Sequence, residues 1–442
     1  MSFKIAMIGA GSIGFTRRLV QDLMTVPEFG DIHLALTDIN QESLDRITQV
    51  IRQDLRANQL SPAVTATTDR RQALGGAKYV LCTIRAGDLD ALAADVEIPL
   101  KYGVDQCIGD TLCAGGIMYA QRGIPLLLAF CRDIEEVADQ DALLLNYSNP
   151  MAMLTWACNK YSNVPTVGLC HGVQHSWHQI AEVLDIPPAE LDVIAAGINH
   201  QTWFTSVKHR GKELTGELLA AFERHPEFSR TEKVRIDVLR RFGYYSTESN
   251  GHLSEYLPWY RKRREEIADW ISEDNWILGK TAGYLNYCRE SRENYAAEYQ
   301  KWLDEPSPEY LPENRSLEHG SYIIESLETG RCYRGFFNVI NQGVIRNLPD
   351  DCVIEAPGYV DGNGINMVHV GDLPLGCAAT CNVSVQVQRM AMEAAVHGDV
   401  QLLKLAMLHD PLVGAVCNPP EVWAMTDELL AAHAKWLPQY AG

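Results

Sequence analysis

The sequence predicts an α/β protein whose N-terminal part is a Rossmann-type, doubly wound parallel sheet and whose C-terminal part is an α+β domain. Short apolar runs alternate with helical patterns as far as Ile198, the arrangement that builds parallel strands covered by helices. The first run, Ile5 to Ile8, passes into Gly9-Ala-Gly11-Ser-Ile-Gly14 and a helix, and Asp38 closes the second run. Glycines at that spacing between strand and helix, with an acid about 20 residues on, form a dinucleotide-binding fingerprint. After residue 199 the alternation gives way to helices and a hairpin. Two domains are therefore expected: 1–198 for the dinucleotide, and 199–442 for substrate, catalysis and oligomerisation.

The apolar segments Lys4 to Ile8, Ile32 to Leu36, Val64 to Thr67 and Tyr79 to Ile84 read as buried strands, with Ile13 to Met24 as the first helix. Gly115 to Val137 and Met151 to Tyr161 read as helices on either side of a strand at Ala142 to Tyr147. Thr166 to Leu169 and Val193 to Ile198 complete the strands. Ligands of such sheets bind beyond the carboxyl ends of the strands, so functional residues are expected just after each one. Further on, Lys233 to Phe242, Leu257 to Trp270 and Val383 to Leu408 read as helical. Phe336 to Ile345 and Cys352 to Val360 flank Arg346-Asn-Leu-Pro-Asp-Asp351 as a hairpin, and Pro306 to Pro312 with Asn314 reads as a surface loop.

A chain of 442 residues, 46% hydrophobic and 21% charged, is long enough for two domains and a large core. Its 38 basic and 57 acidic residues give a net charge of −19, which opposes binding to nucleic acid or anionic lipid. No apolar run approaches the ~20 residues that cross a bilayer, and no export signal is visible, so a cytoplasmic protein is expected. The 12 cysteines form no CxxC pair and read as buried thiols, not a disulfide framework.

In the fingerprint, Gly9 permits the tight turn, Gly11 the approach of a pyrophosphate, and Gly14 close packing of helix on strand. Unpaired N–H groups at the helix start attract phosphate. Asp38 would accept from the ribose hydroxyls, favouring NAD over NADP; alternatively it caps the helix starting near Gln41.

Three further clusters follow strands. Asn149, in Asn146-Tyr-Ser-Asn-Pro-Met151, can donate to and accept from sugar or cofactor hydroxyls, or serve as a turn and helix-cap residue. Cys170-His171 and Asn199-His200 end two strands, and a thiolate with an imidazole suits a divalent metal in an open site completed by substrate oxygens and water; a buried thiol beside a core histidine fits equally. Tyr244 to Tyr256 gathers tyrosines and carboxylates in which a tyrosine near a cation could act as a base, or sit at an interface with its hydroxyl bonded.

In order along the chain, Gly9-x-Gly11, Asp110-Thr with Gly115-Gly-Ile, Asn146-Tyr-x-Asn149-Pro-Met, Gly168-Leu-Cys170-His171, Gly197-Ile-Asn199-His200, Thr247-Glu-Ser to Glu255-Tyr256, Asn347-Leu-Pro and His409-Asp-Pro resemble glycoside hydrolase family 4. These are the NAD- and metal-dependent glycosidases, whose first domain is lactate/malate dehydrogenase-like. Phe242-Gly-Tyr-Tyr-x-Thr-Glu-Ser and Glu255-Tyr-x-Pro-Trp are most similar to its melibiose-type α-galactosidases.

The resemblance implies hydrolysis without the usual carboxylate pair. Hydride passes from sugar C3 to NAD, a metal polarises the new ketone, a base removes the C2 proton, and the glycosidic oxygen leaves C1. Water then adds and the hydride returns. It implies Cys170 and His200 as metal ligands for Mn²⁺ or another divalent ion, Asn149 and His200 on the substrate, and Tyr256 as the C2 base, with Tyr260 or Tyr245 next in line. His171 stands where the phospho-α-glucosidase branch has the aspartate associated with leaving-group protonation, which points to unphosphorylated galactosides. Gly172 replaces the serine usual in the α-galactosidases, and Cys113-Ala114-Gly115-Gly116 replaces their Gly-Pro-Gly-Gly, both near the expected sugar pocket. An α-glucuronidase, α-galacturonidase or α-glucosidase of the same family is the alternative, and an NAD-dependent 2-hydroxy acid dehydrogenase the alternative from another class. A homodimer or homotetramer is expected.

Overall fold

Thirteen strands form one mixed sheet in the computed structural model, which describes residues 1–441. Strands β1 (Lys4–Ile8), β2 (His33–Thr37), β3 (Ala63–Thr67), β4 (Tyr79–Cys82), β5 (Leu143–Asn146) and β6 (Thr166–Gly168) run parallel in the order 3-2-1-4-5-6. Each falls within two residues of its sequence-predicted bounds. The chain reverses its direction of winding between β1 and β4, so the loops after these strands diverge and open a crevice at their carboxyl ends.

The remaining strands are β7 (Leu191–Ile198), β8 (Gln201–His209), β9 (Lys212–Glu213), β10 (Tyr245–Ser246), β11 (Tyr333–Ile340), β12 (Val353–Asp361) and β13 (Gly364–Met367). They extend the sheet beyond β6 in the order β11-β12-β7-β8-β10. The segment Val193 to Ile198, grouped by its sequence with the parallel strands, belongs instead to an antiparallel hairpin with β8. Only Asn199 and His200 separate the two strands, and a two-residue connection can join antiparallel partners but not parallel ones. The boundary expected at 198/199 lies in this hairpin. Because β11 pairs with β6 and β12 with β7, the ends of β6 and β7 are held in one sheet despite the sequence between them.

Helices cover both faces. One core packs Ile117, Ile124, Met153, Trp156, Val385 and Met392 under the long helices Cys113–Val137 and Leu375–His397; the other packs Leu19, Leu23, Leu44, Ile51, Ile323 and Phe337. Two helical expectations are corrected. Leu257 to Trp270 is a loop with two short turns, Arg264–Glu266 and Ile267–Trp270. Pro258 disfavours helix at Leu257, and the buried Arg261 guanidinium donates to the Asp105 and Gly279 carbonyls, the Ser254 hydroxyl and the Asp105 carboxylate. Val383 to Leu408 spans two helices, Leu375–His397 and Val400–His409, broken where Gly398 takes φ +66° and Asp399 caps Leu402 N. Among the described residues no helix is long and apolar enough to cross a membrane.

Candidate active site

A cavity of about 1930 Å³ runs along the carboxyl ends of the strands, from Gly11 and Asp38 at one end to Cys170 and His200 at the other. At the first end Gly9 takes φ +83°, and a Cβ there would lie 2.9 Å from the Thr83 carbonyl, so only glycine fits. Gly11 N donates to Asp38 Oδ2 at 2.8 Å, and Asn40 N donates to Oδ1 at 2.9 Å. Asp38 thus faces the glycine turn. The next helix, Gln41–Ala57, is capped by Asn40, whose side chain accepts from Ser43 N at 3.0 Å, which removes the capping alternative for Asp38. Gly14 corrects its expected rationale. A Cβ on it would meet nothing within 4 Å, so it does not serve close helix packing; it is exposed on the cavity wall. The helix Ile13–Met24 begins there with no acidic residue and no side-chain cap in its first turn, leaving its N–H groups open to an anion.

At the other end Cys170 follows β6, while His200 sits at the tip of the β7–β8 hairpin with φ +61°, a conformation costly for a non-glycine residue. The structure brings them together: Cys170 Sγ and His200 Nε2 are 3.3 Å apart. It also adds Glu248, whose Oε2 lies 2.9 Å from His200 Nε2 and 3.5 Å from Cys170 Sγ. Thr111 Oγ1 contacts His200 Nδ1 at 2.9 Å and donates its only proton to Asp110 Oδ1 at 2.9 Å, so it must accept from Nδ1–H. That fixes the imidazole tautomer and frees Nε2 as a ligand.

The electrostatics of the cluster fit a cation. Burial and the Glu248 carboxylate push the Cys170 thiol up to about 12. Burial opposes charge on both His200 and Glu248, but each charge sustains the other, so the imidazole is raised and the carboxyl lowered. A divalent ion replaces these protons and draws out the thiolate. Cys170, His200 and Glu248 therefore have the geometry and donor chemistry to hold one.

Asn149 lines the cavity and donates from Nδ2 to Asp110 Oδ2 at 2.9 Å, while its Oδ1 accepts from Met151 N at 3.3 Å, so it serves both the site and the turn. Asp110 is fully buried, yet His252, His200 and Thr111 outweigh burial and hold its carboxyl at about 2. His252 stands against His200, ring centroids 4.6 Å apart, with Nδ1 bonded to Ser249 Oγ and a buried Nε2 that has no partner. His171 borders the cavity with Nδ1 2.8 Å from Glu318 Oε1; burial lowers its basicity, and Glu318 more than restores it. Tyr256 stacks on His200 with rings 8° from parallel, and its hydroxyl lies 3.4 Å from Asp110 Oδ1. It is wholly buried behind the cavity wall, and burial with the Asp110 and Glu255 carboxylates raises its phenol well above the usual value. Tyr260 bonds Asp237 and Tyr245 bonds Gln179. Arg85 enters the wall between the Tyr119 and Tyr284 rings, at 5.5 and 5.1 Å, and donates to Tyr284 OH at 2.6 Å.

Glu248 and His252 were not singled out from sequence, although both lie in the polar block from Tyr244 to Tyr256. Asp110 entered only as part of a motif, and Arg85 not at all. What marks them is convergence on Cys170 and His200, which is a tertiary property.

Fold and site define a Rossmann-type protein in which a dinucleotide-type glycine cradle and a metal-competent cluster share one cavity. A sequence model described as "Family 4 glycosyl hydrolase" matches residues 4–186, and that of the "Family 4 glycosyl hydrolase C-terminal domain" matches residues 195–413. The chain is 60% identical over 441 residues to an alpha-galactosidase of Rhizobium meliloti (strain 1021), covering 100% of this chain and 90% of that one. It is 35% identical over 440 residues to an alpha-galactosidase of Bacillus subtilis (strain 168), covering 99% of each. The fold is shared with the 6-phospho-beta glucosidase of Thermotoga maritima solved with manganese, NAD+ and glucose-6-phosphate, at TM-score 0.80 and 22% identity over 98% of this chain and 99% of that one. The chain belongs to family 4 of the glycosyl hydrolases and is a glycosidase.

Proposed function

We propose that this protein is an NAD- and divalent-metal-dependent α-galactosidase acting on unphosphorylated α-galactosides such as melibiose. The observation that carries the reading is the single cavity joining the Gly9–Gly11–Asp38 cradle to the Cys170–His200 cluster. The full-length identity to alpha-galactosidases supports the sugar. Bound there, NAD would supply reversible hydride exchange and Mn²⁺ Lewis acidity.

The chain's own groups divide the remaining work. Gly9, Gly11 and Gly14 leave backbone N–H groups for the pyrophosphate, and Asp38 accepts from the ribose. Cys170 and His200 hold the ion, while Asn149 and His200 face the sugar hydroxyls. His171, kept protonated by Glu318, is the leaving-group acid, and its Nε2 remains free to face the cavity. Tyr256 is the C2 base, and its hydroxyl communicates with the cavity through Asp110. The first domain, 1–198, carries the dinucleotide and 199–442 closes over the sugar. The exposed Leu375 and Val383, on one helix, support a homodimer or homotetramer.

A panel of p-nitrophenyl α- and β-glycosides and uronides, assayed with NAD and Mn²⁺ under reducing conditions, tests the reading. The α-galactoside should be cleaved fastest and only with both additions. Preference for a uronide, whose carboxylate Arg85 could take, would move the assignment to an α-galacturonidase or α-glucuronidase; inactivity on every glycoside would overturn it.

A further inference from the structure

We propose that Glu248 is a third protein ligand of the divalent ion, and that residue 172 is glycine so that this carboxylate can reach it. The inference rests on the metal site proposed above.

Three contacts outline it. Cys170 Sγ, His200 Nε2 and Glu248 Oε2 are separated by 3.3, 3.5 and 2.9 Å, and the same carboxylate oxygen makes both Glu248 contacts. Neighbouring ligands of an octahedral ion with bonds of about 2.1 Å lie about 3 Å apart. The three atoms thus match one triangular face, leaving the opposite positions to substrate oxygens and water. The backbone fixes this reach. β10 pairs with β8 through Tyr245 and Ser246, Thr247 N donates to Thr202 O at 2.8 Å, and Thr202 N donates to Thr247 Oγ1 at 3.2 Å. Glu248 is therefore tied to the strand that leaves the His200 turn.

Room for the carboxylate comes from the other side. Gly172 begins the helix Gly172–Leu184, and a Cβ on it would lie 2.5 Å from Glu248 Oε2 and 2.8 Å from Cδ. No side chain fits there while Glu248 keeps its place. The ligand set also makes chemical sense. A thiolate and an imidazole alone favour soft or borderline ions, whereas a carboxylate oxygen suits Mn²⁺ and, with the thiolate, balances the ion's two charges in a buried site.

The test is Mn²⁺ binding to metal-free protein, with free Mn²⁺ read by electron paramagnetic resonance, and the visible spectrum of the Co²⁺ form. Glu248→Gln should weaken Mn²⁺ binding at least tenfold yet keep the thiolate-to-cobalt charge-transfer band, which Cys170→Ser should abolish. Gly172→Ala should weaken Mn²⁺ binding in the same way by displacing the carboxylate, and decides the matter if Glu248→Gln does not fold, as judged by NAD binding. Wild-type Mn²⁺ affinity in both Glu248→Gln and Gly172→Ala, with affinity lost in Cys170→Ser and His200→Ala, overturns Glu248 as a ligand and leaves the metal site standing. Wild-type affinity in all four overturns the site itself.

Discussion

Asp38 Oδ2 and the Gly11 backbone occupy each other's only free space: the oxygen accepts from Gly11 N at 2.8 Å, and a Cβ on Gly11 would fall 2.8 Å from it. The acid that reads the ribose and the glycine that admits the pyrophosphate are thus one mechanical unit. Gly11→Ala should push Asp38 aside and weaken NAD binding at least about tenfold, roughly 1.4 kcal/mol. Calorimetric titration checks it, with an unchanged melting temperature as control. Unaltered NAD affinity would show that the cradle does not hold the dinucleotide.

Cys170→Ser and His200→Ala should each lower metal-dependent turnover by about a hundredfold or more while leaving the fold intact, since both side chains end strands at the cavity and contribute little to either core. Chelation should mimic them, and Mn²⁺ should restore the wild type. Oxidants should inactivate too, because the ligand thiolate is the oxidisable group. Normal rates and metal content in either variant would place the ion elsewhere.

His319 should make the fold sensitive to mild acid. Burial lowers its imidazole to about 4, while the unfolded chain takes up that proton near the ordinary 6.5. Between these values the unfolded state binds more protons, so stability should rise with pH across the window and fall below it, by about 3 kcal/mol in all. His319→Gln should flatten this part of the profile, measured by urea unfolding from pH 4.5 to 7.5. Parallel profiles for variant and wild type would show that the ring is not held neutral.

Tyr256→Phe removes only the hydroxyl that contacts Asp110, so NAD and galactoside should still bind while turnover falls about 10² to 10⁴-fold. Steady-state rates and ligand titration read the two effects separately. Undiminished turnover would move the base; His252 and Asp110 border the cavity nearer than Tyr260 or Tyr245, which bond elsewhere.

Local spacing made much of this legible. Gly9, Gly11 and Asp38 are readable because a strand, a tight turn and a helix impose their order within a short stretch, and Cys170 and His200 because strand ends in such sheets face the ligand. Gly14 was placed correctly on the loop but explained wrongly, since the space around it depends on what does not pack there. Helical periodicity from Leu257 to Trp270 was overridden by Pro258 and the buried bonds of Arg261. Glu248 was out of reach for a different reason: its carboxylate meets Cys170 across 78 residues of sequence, and only the insertion of β11 and β12 between β6 and β7, with β10 pairing on β8, brings them together.

The central claim is that this glycosidase cleaves by oxidation, C2 deprotonation and elimination, and not by direct displacement at C1. Turnover of an α-galactoside by wild-type protein in D₂O, with NAD and Mn²⁺, followed by NMR of the released sugar, tests it most directly. The account expects deuterium at C2 of the product, from exchange of the abstracted proton with solvent, and no net NADH. Rapid hydrolysis that leaves C2 fully protonated, under conditions where the base equilibrates with solvent, would contradict it.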